Sequence, residues 1–521
     1  MTPKRFSTLT LACISALASF GVQAYTVPDN FESDQSSQGA GYFSGTINGN
    51  GYNWTVDKST DKAAGLQVQN GGQVNNVGNL TVVDGLITAY GGSIQVNNKL
   101  ETGTLKLGAT SGTTVTNTGT VTAGSATVSS VIVNSGSSLT VTNNLDAKTL
   151  TNSGTTTVGS LKISGGLSNA AGATLTVGGD FEMTPSGNDP TLSNSGNMFF
   201  SSGKLNAEAF KLVNSGTLGK SQTEGLDEIV AREVRNDKGG KLSAGKITSA
   251  GTVYNGETST GTMTVNVLEA KALINGTGGT LNVKEKLIAS LYNKGGTVTL
   301  NDVESSVVSN SGTLTVNGNA NVTKNFSNLS GGTVTFGADA TFADAAFTLT
   351  NAGTLYAQSG KIDAAGMTLK NLDSGVIRKN AQESKLDALV VANLHNNADL
   401  TVSTLKATGD VYNGAGDEGN SHTLTVDTLT AKSIFNDNGS KVVVSDRVSV
   451  DSVKNSNGSE FTAQTLSSAT VTNETGSSLT VTNLMDAQTL INNGTTTVGS
   501  LKISNRLTNA AGATLTVGGD F

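Results

Sequence analysis

The sequence predicts an all-β fold, a right-handed parallel β-helix (solenoid) with an N-terminal cap. Three features carry that expectation. A turn followed by an alternating strand recurs along most of the chain. Composition is rich in Thr, Val, Asn and Gly, with 64 glycines and 14% charged residues, well below the usual charged fraction of about a quarter. The phrase returns mostly every 17 to 25 residues or so, too short an interval for a crossover helix, so successive strands must pair by stacking.

Residues 1–24 have the parts of a secretory signal. Lys4 and Arg5 give a positive start, and Leu9 to Val22 an apolar run too short to span a bilayer. Val22-Gln23-Ala24 then supplies small residues for cleavage between Ala24 and Tyr25. Cleavage before Cys13 as a lipoprotein would leave Ile14 to Val22 on the mature chain. Cys13 is the only cysteine, so the mature protein has no disulfide even where export would permit one. Core burial and backbone pairing must supply its stability. The net charge of -7 offers no basic footprint for nucleic acid.

Residues 25–64 lack the recurring phrase but gather Tyr42, Phe43, Tyr52 and the single tryptophan, Trp54. An open solenoid end exposes core and strand edges, so this stretch is expected to cap it. An aromatic platform for carbohydrate is the functional alternative.

Residues 65–521 carry the coils. Asn152-Ser-Gly-Thr-Thr-Thr-Val158, Asn310-Ser-Gly-Thr-Leu-Thr-Val316 and Asn169-Ala-Ala-Gly-Ala-Thr-Leu-Thr-Val177 show the phrase, which recurs near Asn134, Asn214, Asn236, Asn275, Asn293, Asn328, Asn351, Asn436, Asn455, Asn473, Asn492 and Asn509. In Thr-Leu-Thr-Val, Leu175 and Val177 can point inward while Thr174 and Thr176 face solvent. Asn and Gly tolerate left-handed backbone at the turn. Asparagines at one place in successive coils can also stack, each amide bonding to the next. The expected inward set includes Leu139, Val141, Val158, Leu175, Val177, Val316, Val334, Leu479, Val481, Leu515 and Val517. A longer period overlies the short one: Ser138 to Phe181 returns nearly unchanged as Ser478 to Phe521, and Ser202-Gly-Lys204 as Ser359-Gly-Lys361. Blocks of about 159 residues, several coils each, are duplicated.

Two stretches need separate treatment. Glu182 to Pro190 contains Pro185 and Pro190 and is expected to loop out of the stack, because proline cannot donate to a ladder. Glu224 to Arg235 has a partly helical spacing, but its alignment with Leu268 to Ile274 places Ala231 to Arg235 in a strand.

The chemistry-bearing residues form no catalytic motif. His395 and His422 lie beside turn residues in different coils, and the duplicated block has Arg235 where His395 stands; solvated turn histidines are expected. No Gly-x-Ser-x-Gly motif occurs with a partner histidine. Ser164-Gly-Gly and Gly278-Gly279 read as turns rather than phosphate loops, since no helix follows. Zinc lacks Cys and His clusters. Asp339 with Asp344, and Asp417 with Glu418, could offer oxygens to calcium, but solvated turn carboxylates are the plainer expectation. Asp180 and Asp520, each in Gly-Gly-Asp-Phe, are assigned to turns. No catalytic residue, metal or cofactor is expected.

With its signal, Asn-x-Gly-x-Leu-Thr-Val coils, acidic balance and lack of mature cysteine, the chain resembles the passenger region of adhesin-type Gram-negative autotransporters (type V secretion). The resemblance implies export, passage through an outer-membrane translocator barrel, folding outside the cell and a place at the cell surface. It also implies a non-enzymatic adhesive stalk whose partners are host or neighbouring-cell surfaces, glycans among them. The family pattern ends in a barrel that is not found before Phe521, so the chain is expected to be truncated. The alternatives are a carbohydrate-active β-helix enzyme, a lyase or hydrolase, and a two-partner secreted filamentous adhesin.

Overall fold

The computed structural model describes residues 30–57 (apart from 32, 34, 39 and 44), 65–184 (apart from 112, 113 and 118), 190–337, 342, 346–414 and 421–521. The signal segment with Ala24 and Tyr25 lies outside the described residues. No helix occurs among them, and the fold is a parallel β-solenoid of about 22 turns. The chain divides into two units: residues up to Val253 with Gly261–Val265, and Tyr254–Thr260 with Asn266–Phe521.

In the first unit, Ser138–Asn152 shows how a coil is made. Its inward side chains come in pairs, Leu139 with Val141, Leu145 with Ala147, and Leu150 with Asn152, separated by exposed corner residues such as Asn143. Thr120–Val133 pairs with it in parallel, Val121 opposite Leu139 and Val133 opposite Asn152. Thr155–Ile163 pairs on the other side, Leu139 opposite Thr156 and Val141 opposite Val158. Inward residues therefore form columns along the stack, and the core is a run of aliphatic contacts between consecutive coils.

The described part of 25–64 joins the same ladder. Trp54–Asp57 pairs in parallel with Gln35–Gln38 and with Leu80 to Val82. Trp54 is fully buried and meets Phe31 edge-on, with ring centroids 5.7 Å apart. Trp54 is thus core rather than part of an exposed aromatic platform. Tyr52 is exposed, and the side chains of Tyr42 and Phe43 lie outside the described ones. Residues 185–189 are also outside, but Glu182 and Met183 still pair with Lys162 and Ile163. Any loop there begins later than Glu182. Leu226–Asn236 is a strand, as its alignment predicts.

The second unit repeats the scheme. Gly279–Asn293 pairs with Thr297–Asn310, and further parallel strands follow to Thr495–Asn509 and Thr514–Val517. Of the expected inward set, Val316, Val334, Leu479 and Val481 are wholly buried here, as are Leu139, Val141, Leu175 and Val177 in the first unit, with Val158 buried to within 2%. Leu515 and Val517 pair with Thr496 and Val498 of the preceding coil and are partly exposed.

Asparagine ladders run through each unit. In the first, Asn152 Nδ2 donates to Asn169 Oδ1 at 2.8 Å, and the pattern continues through Asn194, Asn214 and Asn236. In the second it runs from Asn255 through Asn275, Asn293, Asn310, Asn328, Asn351, Asn371, Asn396, Asn413, Asn436, Asn455, Asn473 and Asn492 to Asn509. The other amide hydrogen reaches a backbone carbonyl, as from Asn194 to Thr217. Buried amides are tolerated because each finds its partners. Asn134 is not a member: Val133 fills its coil's slot, and Asn134, one residue later, donates to Gly108 O at 2.7 Å.

Turn glycines serve two different purposes. Gly172 has φ +79° and open space around it, the left-handed role expected of it. Gly154 has no such dihedral; a Cβ there would lie 2.3 Å from Ser137 O. The tight Asn-x-Gly turn thus needs glycine because the coil beneath passes so close.

Candidate functional site

The inward face is filled by the core, so any site lies on the outward positions and the turns. His395 is not a solvated turn histidine. It lies in the strand Leu386–Asn396, opposite Lys370 in one neighbouring coil and Tyr412 in the other. Its ring stacks on Tyr412 at 4.6 Å, and Tyr412 stacks on Phe435 at 4.9 Å. Partial burial, then the nearby Lys370 charge, push its pKa below the usual imidazole value, against a smaller opposing pull from Asp410. Tyr412 donates its hydroxyl to Asp410 at 3.2 Å, and burial followed by the Asp410 charge raises its pKa.

The duplicated block builds the same place from charges. Lys211, the counterpart of Lys370, pairs with Glu233 at 3.0 Å, and Arg235, the counterpart of His395, lies near Glu233 and Asp237. His422 is also more enclosed than expected, with its side chain 12% exposed and Nε2 2.9 Å from Asp373 Oδ1. The two histidines lie in different columns, each with its own neighbours.

A shallow groove of about 440 Å³ crosses the first unit, lined in part by Thr81, Glu101, Thr127, Asp146 and Lys148. Thr81, Glu101, Thr127 and Asp146 are register partners in consecutive coils, so Glu101 and Asp146 stand two strand spacings apart, about 9.6 Å along the column. Glu101 is already paired with Lys99 at 3.0 Å.

Among the described residues no group of three or more His, Cys, Asp or Glu could hold a metal ion. Asp339, Asp344, Asp417 and Glu418 lie outside the described residues. Asp180 and Asp520 each follow a one-residue bend at Gly179 or Gly519 rather than forming a turn, and their carbonyls accept from the preceding coil, from Leu161 N at 2.9 Å and Leu501 N at 2.8 Å. Ser164 and Gly165 are bends and Gly278 a turn between strands, with Gly279 opening the next strand.

A family model described as the BigA fourth domain matches residues 96–225, well under half of the chain. The match supports a bacterial surface protein. No curated protein and no solved structure matches the chain. The matched stretch includes the groove residues Glu101, Asp146 and Lys148, the first asparagine ladder as far as Asn214, and the turn that follows Gly219.

Proposed function

We propose that the protein is a non-enzymatic structural and adhesive stalk of the bacterial cell surface, exported by an autotransporter-like route. The observation that carries this reading is the repetition of outward surface. Thr155 and Thr157 stand opposite Thr174 and Thr176 in the first unit, and Thr495 and Thr497 opposite Thr514 and Thr516 in the second, in the same register. Equivalent weak contacts repeated along a stack add through avidity when several engage at once. An enzyme would instead concentrate unlike charged groups in one coil. The family match to a surface protein supports the reading as well. Its test is adhesion of the purified chain to cells and coated surfaces, before and after deletion of one duplicated block. A graded loss is expected, because coils are nearly interchangeable.

The groove that holds Glu101 and Asp146 favours a second reading, a carbohydrate-active enzyme. Release of products from a uronan or related polysaccharide, abolished by Glu101→Gln or Asp146→Asn, would establish it in place of the first.

A further inference from the structure

The two duplicated blocks each let the chain leave the stack by the same small loop. In the first unit it follows Gly219. Ser221 Oγ accepts from Thr223 N at 3.3 Å and Glu224 N at 3.2 Å, closing the tip. Lys220 pairs with Asp227 at 2.6 Å, and Asp227 N donates to the carbonyl of Gly203 at 2.7 Å. In the second unit the stitching is the same: Asn380 Oδ1 accepts from Gln382 N and Glu383 N at 2.9 and 2.8 Å. Lys379 pairs with Asp387 at 3.3 Å, and Asp387 N donates to Gly360 O at 2.7 Å. Gly203 and Gly360 hold matching left-handed conformations, φ +75° and +76°.

The surroundings of the two loops differ. Beside the first is a groove of about 450 Å³, walled by Gln222, Thr223 and Glu224 and floored by Thr217, Lys241 and Thr262. Lys241 and Glu224 make no ion pair among the described residues. In the second copy an inserted residue, Lys385, reaches Asp427 Oδ2 at 2.7 Å. That contact ties the loop to the strand bearing Thr423 and Thr425, the counterparts of Thr262 and Thr264. Lys241 is replaced there by Asp399, whose carboxylate accepts from Thr423 N at 2.9 Å. One copy is open and the other is bridged.

We infer that the open groove between the loop Lys220 to Gly225 and the strands of Thr217, Lys241 and Thr262 is a binding site for a neutral oligosaccharide. Its lining offers hydroxyls, the two amides of Asn197 and Gln222, one cation and one anion, a mixture of donors and acceptors with no net charge. That suits a chain of hydroxyl groups rather than an apolar ligand, and its volume is within the range of small-ligand sites. The loop tip reaches out from a stitched base, so its side chains are held without being part of the core. This inference rests on the adhesive reading and gives it a ligand class and a place.

The test uses the purified full chain on an array of neutral oligosaccharides of two to four sugars, with their uronate-containing counterparts beside them, followed by calorimetry on the best neutral binder. A stoichiometry of one per chain is expected. Gln222→Ala with Thr223→Ala, and separately Lys241→Ala, should each weaken binding at least tenfold while the melting temperature holds. Gln382→Ala in the bridged copy should leave binding unchanged. Retention of no neutral oligosaccharide, preference for the uronates, or full binding by the loop variants would overturn the inference. Cell adhesion by the same proteins separates the two readings: adhesion without saccharide binding removes this site and leaves the adhesive reading, and saccharide binding without adhesion does the reverse.

Discussion

Asn310 and Asn328 sit one coil apart and are joined amide to amide, Nδ2 to Oδ1 at 3.0 Å, with neither side chain exposed to solvent. Asn310 also receives from Asn293 at 2.7 Å and donates to Thr333 O at 3.1 Å. Asn310→Ala would strand a donor on Asn293 and an acceptor on Asn328, both buried. A loss of about 2–4 kcal/mol is expected, since buried polar groups left unpaired cost the desolvation of each. Urea unfolding with an unchanged midpoint would show that the ladder contributes nothing.

Val316 is fully buried and faces Leu300 in one coil and Phe336 in the next. Val316→Asp would place an unpaired carboxylate between coils, at a local cost of several kcal/mol. Limited proteolysis should then cut near residues 300 to 336. Undiminished resistance would mean the faces are assigned the wrong way round.

Gly154 and Gly172 should respond differently to alanine. Gly172→Ala meets open space and bears only the left-handed backbone, about 1–2 kcal/mol. Gly154→Ala drives a methyl into the carbonyl of Ser137 and must shift a coil. Thermal melts should rank Gly154→Ala as the more damaging; the reverse order would refute the close-approach account.

Thr156 occupies an inward slot and donates its hydroxyl to Asn152 Oδ1 at 3.0 Å. Asn152 is the first member of its ladder, with Val133 in the slot before it, so no earlier asparagine supplies that hydrogen. Thr156→Val is expected to cost about 1–3 kcal/mol and Thr156→Ser much less. Equal melting temperatures for the two variants would remove the capping role.

His395 has a folded-state pKa below 6.5, from burial first and the Lys370 charge second. The unfolded chain therefore binds its proton at higher pH than the folded chain does. The associated stability is present above about pH 6.5 and is lost as pH falls through the folded value. His395→Phe should flatten that part of the stability profile. A His395 resonance titrating above 6.5 would reverse the sign and sink the prediction.

The fold was legible because alternation and turn chemistry are local, and each coil states both. Ladder membership was less legible, because it depends on a column rather than a phrase. Asn134 carries the full phrase but begins it one residue late. The duplicate makes this plain, since Asn473 stands where Val133 does and Glu474 where Asn134 does. Asn371, Asn396 and Asn413 are hard to pick out by phrase because their turns vary in length and wording, yet each occupies the slot. His395 was misjudged for a related reason. Its neighbours in sequence are turn residues, while the ring it stacks on lies 17 positions further on, and the ring stacked on that one 40. The paired loops were visible only through Ser202-Gly-Lys204 and Ser359-Gly-Lys361; the lysine and aspartate that brace each loop lie outside that motif.

Every link from Asn255 to Asn509 points the same way, the nitrogen of one amide toward the oxygen of the next. Such a row is a one-way wire of aligned dipoles, in which each bond polarises its neighbours. Cutting it in the middle leaves two shorter wires, whereas cutting it near a tip leaves most of it whole. The same Asn→Ala change should therefore cost more at Asn371, inside its row, than at Asn152, which starts its own row because Val133 holds the slot before it, although both side chains are equally buried. Position along the wire, which no list of contacts at a single residue contains, becomes part of what an asparagine is worth.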